Sequence, residues 1–180
     1  MFERYTESAR RVILFARYEA SQFGSPSIEV EHLLLGFLRC DSARIKVWLP
    51  TLNSKAIRKQ IDAHSPRRAP ISTSQNLPLS EDSKRVLEYA SHEAGIASDK
   101  RIGSEHLLLG LLLEGQSFAG QLLRQLHADP AKLRTQIASG PIFFLGPKTH
   151  SGCAREPWAQ TRTQLRFTVP DGRWTLSTTS

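Results

Sequence analysis

Apolar residues in the first 140 positions recur at intervals of three and four, and the residues that interrupt this rhythm are ones that cap or break helices. Ala9, Val12, Ile13, Ala16, Ala20 and Phe23 lie at helical spacing between Thr6, a predicted N-cap, and Gly24, a predicted C-terminal stop. Beyond Ser25-Pro26-Ser27, a second helix is predicted from near Glu29, presenting Leu33, Leu34, Phe37 and Leu38. Leu35 makes it apolar nearly all round, which predicts a central, buried position. A third, short helix carries Ala43, Val47, Trp48 and Leu49 and stops at Pro50, which has no N–H to donate. Asn53 then caps a fourth helix with Ile57 and Ile61.

From His64 to Pro78 the composition changes to Ser, Pro, Arg, Thr and Asn, and Pro66, Pro70 and Pro78 forbid a regular helix, so a flexible linker is predicted. Four more helices follow. Ser80 caps one with Val86, Leu87, Ala90 and Ala94; Ser104 opens the Leu107 to Leu113 stretch; a third carries Phe118, Leu122, Leu123 and Leu126. Asp129-Pro130 supplies an N-cap and a first-turn proline for the last, with Leu133 and Ile137, ending at Gly140.

The two halves are copies. Glu31 to Gly36 and Glu105 to Gly110 both spell Glu-His-Leu-Leu-Leu-Gly, a separation of 74 residues (105 − 31). At the same offset Glu7, Arg11, Val12, Ala16, Glu19, Ala20 and Ile28 match Glu81, Arg85, Val86, Ala90, Glu93, Ala94 and Ile102. A fixed offset means one supersecondary unit duplicated. The predicted fold is all-α: about eight helices as a pseudo-two-fold tandem repeat of two four-helix units, residues 1–63 and 79–140, joined by the linker 64–78. Each unit alone would bury too little apolar surface, so 1–140 is expected to pack as one domain. Residues 141–180 form a tail that is irregular or carries a small hairpin over 165–177, where Leu165, Phe167 and Val169 alternate, Pro170-Asp171-Gly172 signals a turn, and Trp174 and Leu176 alternate again.

Composition adds limits. At 180 residues and 39% hydrophobic the chain has enough apolar mass for a sizeable core. The formal charge of +7 permits acidic partners, but the basic residues are interspersed with acids, which argues against nucleic acid as a partner. Arginines interleaved with Trp158, Phe167 and Trp174 nevertheless keep a basic nucleic-acid-binding protein as the alternative function. Cys40 and Cys153 lack metal-ligand spacing, so no metal or cofactor is expected. With no secretory signal and no apolar run of about 18 residues, the expectation is a cytoplasmic protein without a membrane partner.

The double Glu-His-Leu-Leu-Leu-Gly, the start Phe-x-Arg-Tyr-Thr-Glu-Ser-Ala and the Ile-Gly-Ser-Glu-His lead-in of the second unit resemble the Clp N-terminal repeat domain over roughly residues 1 to 140. That resemblance implies a non-enzymatic protein-binding module. In the family this domain caps Clp-type AAA+ unfoldases and docks adaptors and substrates for degradation by the Clp peptidase. The sequence holds no Gly-x-x-x-x-Gly-Lys-Ser/Thr phosphate loop, so it reads as a stand-alone chain without the ATPase modules.

The resemblance also implies a site. Relatives that recognise phosphorylated arginine carry Gly-Thr-Glu-His at the start of each repeat's second helix, where the Glu engages the guanidinium and nearby groups hold the phosphate. A helix N-terminus attracts an anion while the carboxylate takes the cation. Here Gly103, Ser104 and Glu105 keep the pattern, with Ser for Thr. The first repeat keeps Glu31 but has Glu29 and Val30 for the glycine and hydroxyl, adding a charge that repels phosphate. The competing reading makes Glu31 and Glu105 ordinary first-turn acids. His32 and His106 read as structural because no second ligand stands at i+4, and Glu19 with Glu93 reads as a repeated structural pairing rather than acid–base chemistry. No catalytic constellation is apparent.

Overall fold

The structure, a computed structural model, describes residues 2–40, 42–139, 165–168 and 175–178. Helix α1 (Glu7–Phe23) begins where the Thr6 hydroxyl accepts a hydrogen bond from the Ala9 N–H at 3.3 Å, and ends at Gly24, whose φ of 65° is left-handed. Helices α2 (Val30–Cys40), α3 (Ser42–Trp48) and α4 (Ser54–His64) complete the first repeat. The second contains α5 (Glu81–Ile96), α6 (Ser104–Glu114), α7 (Phe118–Gln125) and α8 (Pro130–Ala138). The caps fall where the sequence puts them: Asn53 and Asp129 open α4 and α8 with side-chain acceptors, and Ser80 opens α5. Among the described residues this is the all-α, pseudo-two-fold plan that the repeat predicts.

Helices α2 and α6 are the centre. Every side chain from His32 to Leu35, with Phe37 and Leu38, is buried, as are His106 to Leu109, Leu111 and Leu112. The glycine that ends each hexapeptide lets its helix lie directly on the preceding one. A Cβ on Gly36 would stand 2.5 Å from both the Val12 carbonyl oxygen and the Ala16 nitrogen of α1; one on Gly110 would run into the Val86 carbonyl oxygen and reach within 3.2 Å of the Ala90 nitrogen of α5. The same two positions of the partner helix are met in both repeats, so the glycine is a packing requirement, as His and the leucines are.

The halves are tied by an exchange of backbone bonds. The Ile28 N–H donates to the Pro78 carbonyl at 2.7 Å and the Ser80 N–H to the Ile28 carbonyl at 3.1 Å. One repeat on, the Ile102 N–H donates to Arg4 at 2.7 Å and the Thr6 N–H to Ile102 at 2.9 Å. Each repeat's lead-in to its second helix is thus paired in parallel with the other repeat's lead-in to its first: Ile28 with Leu79, Ile102 with Tyr5. Buried amides need partners, and neither repeat supplies these from its own chain.

A second lock recurs inside each repeat. Glu19, 3% exposed on α1, accepts from both Nη atoms of Arg58 on α4 at 3.0 Å and from Arg39 on α2 at 3.1 Å. Glu93 of α5, also 3% exposed, takes a forked pair from Arg134 of α8 at 2.7 and 2.8 Å. Burial alone would push the Glu19 carboxyl up, but the Arg58 and Arg39 hydrogen bonds and charges outweigh it, and the result is a lowered pKa. The Arg134 pair lowers Glu93 likewise. The expected shared pairing is therefore a brace between first and fourth helices.

Two local features were not predicted. Ile45, fully buried, is what α3 gives to the core, alongside Leu49 just past its end, while Val47 is half exposed. The linker is not loose: the Arg68 and Ile71 N–H groups donate to Phe23 and Ser21, and Arg17, 3% exposed, gives its Nη2 to the carbonyls of Thr73 (2.5 Å) and Gln75 (2.9 Å). Polar composition signalled the absence of a helix, while the carbonyls that a helix would have satisfied are taken up by an arginine from α1. In the tail, β1 (Leu165–Thr168) and β2 (Thr175–Thr178) pair antiparallel with Phe167 opposite Leu176. The anticipated turn at 170–172 lies outside the described residues, as do Gly140 and Cys153.

Candidate protein-docking site

Gly103 occupies the N-cap position of α6 in extended backbone, with φ −89° and ψ 174°. Its value is space: a Cβ there would collide with the Glu105 carboxylate, which folds back over the helix start. Ser104 is fully buried, and its hydroxyl accepts a hydrogen bond from Arg44 Nη1 at 2.9 Å. The same Nη1 lies 3.8 Å from Glu105 Oε2, and the Ser104 Oγ lies 3.5 Å from that oxygen. Beside Gly103, Ser104 and Glu105 the structure places Arg44, from α3 of the other repeat. Nothing in the sequence pairs Arg44 with them, because the contact crosses the pseudo-two-fold.

Glu31, the first-repeat counterpart, is used differently. It stands in the first turn of α2, where its carboxylate lies near the Ala119 main chain at the start of α7 and close to His64. The His64 ring stacks on Phe118, with centroids 3.8 Å apart. Burial, and then the Glu29 charge, hold the Glu31 pKa above the usual carboxylate range despite these partners. Each repeat's glutamate thus reaches the third helix of the opposite repeat. Glu31 has a main-chain neighbour there and Glu105 a side-chain one.

The adjoining histidines are helix-start fasteners. His32 Nδ1 accepts from the Glu29 N–H at 3.0 Å, and His106 Nδ1 accepts from the Gly103 N–H at 3.0 Å. Each fills the role that Glu or Gln plays at the third position of a capping box. An accepting Nδ1 requires an unprotonated nitrogen there, and burial lowers the His32 pKa to about 4. Because that value lies below the ordinary 6.5, an unfolded chain takes up the proton first. The stability supplied by this group is complete above about pH 6.5 and drains as pH falls towards 4.

Among the described residues no group of three His, Cys, Asp or Glu side chains is arranged to hold a metal, and no helix is long and apolar enough to cross a membrane. What the α6 start offers is a carboxylate with a 26% exposed side chain, beside a hydroxyl and a helix N-terminus. Such a set can hold a cationic group on the carboxylate and an anionic one near the amides.

A paired-repeat helical domain built on a duplicated Glu-His-Leu-Leu-Leu-Gly is a defined class of fold. The family model of the Clp repeat (R) N-terminal domain matches residues 4–126 and 98–140, and the chain belongs to that family. It is 37% identical over 139 residues to the chloroplastic chaperone protein ClpC of Pisum sativum, and 37% over 153 residues to chloroplastic ClpC1 of Oryza sativa subsp. japonica. These matches take in 76% and 84% of this chain but only 15% and 16% of the relatives. The fold resembles the N-terminal domain of the caseinolytic protease-associated chaperone ClpD from Arabidopsis thaliana, with TM-score 0.63, 28% identity, and coverage of 77% of this chain and 98% of that one. The Hsp104 N-terminal domain from Candida albicans matches in fold alone, with TM-score 0.60, 18% identity, and coverage of 74% and 89%.

Proposed function

We propose that this chain is a non-catalytic docking module of the Clp chaperone and protease system. It binds protein substrates or adaptors and modulates their regulated proteolysis by a Clp-type AAA+ unfoldase. Membership of the Clp repeat family and relatives named as Clp chaperones support the general role. The finer reading assigns recognition of arginine-phosphorylated protein to Gly103, Ser104 and Glu105. The observation that carries it is the part-exposed Glu105 carboxylate folded over the N-terminus of α6 with the Ser104 hydroxyl alongside. The carboxylate takes the guanidinium in charge-assisted hydrogen bonds, and the helix start faces the phosphate. Glu31, set against the Ala119 main chain and crowded by Glu29, is left to the seam between repeats.

The test is calorimetric titration of the protein with a phosphoarginine peptide and with its unphosphorylated twin, repeated on Glu105→Ala. Phosphate-dependent binding that weakens at least about tenfold in the variant is expected, from the loss of a charge-assisted pair. No binding to either peptide would remove the phosphoarginine reading and leave docking by adaptors or by the unfoldase itself, to be sought by pull-down.

A further inference from the structure

Glu105 already has an arginine. The Arg44 guanidinium of α3 touches the buried Ser104 hydroxyl at 2.9 Å and stands 3.8 Å from the Glu105 carboxylate, so one end of the first repeat occupies the start of the second repeat's central helix. The ion pair is longer than the 2.7–2.9 Å typical of a charge-assisted hydrogen bond, which leaves the acceptor positions of Oε2 underused. Both side chains are part exposed, Arg44 by 36% and Glu105 by 26%. At the equivalent place in the first repeat Glu31 lies near the Ala119 main chain, which cannot swing aside as a side chain can.

We propose that Arg44 is an internal stand-in for the ligand: a guanidinium arriving at Glu105 displaces Arg44, so that binding releases the tie between α3 and α6. This rests on the reading of the α6 start as an arginine-recognising site. It assigns a regulation to that site, since any change that draws Arg44 away opens Glu105, and any that strengthens the contact closes it. A ligand that must displace an occupant binds with an apparent affinity reduced by the fraction of open sites. Part-exposed ion pairs of this kind hold the closed state by a factor of about two to five.

The experiment is titration of wild type, Arg44→Met, Arg44→Lys and Glu105→Gln with the phosphoarginine peptide, each first shown by thermal melting to unfold cooperatively. Arg44→Met is expected to bind about two- to fivefold more tightly than wild type, Arg44→Lys to fall between them, and Glu105→Gln to lose binding. Unchanged or weaker binding by Arg44→Met, with binding still lost in Glu105→Gln, overturns the displacement while keeping the site; the weaker result would make Arg44 a phosphate holder. Absence of binding by both wild type and Arg44→Met removes the site and the displacement together.

Discussion

Replacing a helix glycine by alanine should stabilise a protein or damage it according to what the new methyl meets, and this chain contains both cases. Gly95 lies in the last turn of α5 with nothing within 4 Å of a built Cβ. Alanine is favoured over glycine in a helix by about 0.8–1 kcal/mol, so Gly95→Ala should gain up to that amount. Gly36→Ala receives the same propensity gain but sets its methyl 2.5 Å from two backbone atoms of α1. Ordinary contact needs roughly 3.5 Å, so α1 and α2 must part by the better part of an ångström, a gap that forfeits about a quarter to a half of the dispersion well of every atom pair along the seam. Overpacking of this kind costs about 1–3 kcal/mol or more, which outweighs the propensity gain. Gly110→Ala, facing the Val86 carbonyl, should behave alike. Thermal unfolding followed by circular dichroism at 222 nm is expected to show a rise of about 2–4 °C for Gly95→Ala and a fall of about 2–8 °C for each hexapeptide variant. A rise for Gly36→Ala comparable to that of Gly95→Ala would mean that the two helices do not meet at that glycine, and the packing account of the motif would be wrong.

Two further expectations follow from the buried polar groups. With His32 at about 4 when folded against 6.5 when unfolded, wild type should lose about 3 kcal/mol relative to His32→Gln between pH 6.5 and 4, read from urea melts at both pH values; parallel pH curves would refute this. Arg134→Ala leaves Glu93 without its forked partner and should cost about 3 kcal/mol, whereas Arg58→Ala leaves Glu19 with Arg39 and should cost about half that; equal losses in denaturant melts would show that Arg39 carries none of the brace.

Local information was legible because it is written at helical spacing. The apolar positions of α1, α2, α5 and α6 and the capping residues Thr6, Asn53, Ser80 and Asp129 follow from short-range rules, and they fall where those rules put them. A seven-residue helix such as α3 presents two faces, and only its neighbours decide which enters the core; here they select Ile45 and leave Val47 half exposed. Arg17 sits at a polar position of the periodic pattern, so nothing marked it as the buried residue that gathers the Thr73 and Gln75 carbonyls and turns a loop-like stretch into a fixed strap.

The duplication itself cuts both ways for function. Every letter of Glu-His-Leu-Leu-Leu-Gly after the first has a structural use: His closes the helix start, the leucines fill the centre, and Gly admits the neighbouring helix. Repetition of those letters therefore follows from a fold built twice, and cannot by itself mark a binding site. The glutamates carry the distinguishing information, because they leave the core and meet whatever the opposite repeat supplies. One meets the Ala119 main chain and the other meets Arg44. A main-chain neighbour leaves Glu31 committed to the seam, whereas a side-chain neighbour leaves Glu105 exchangeable. Any ligand specificity in this chain is thus expected to come from where the two repeats differ, and the first variant to separate the two halves is Arg44, a residue outside the repeated motif.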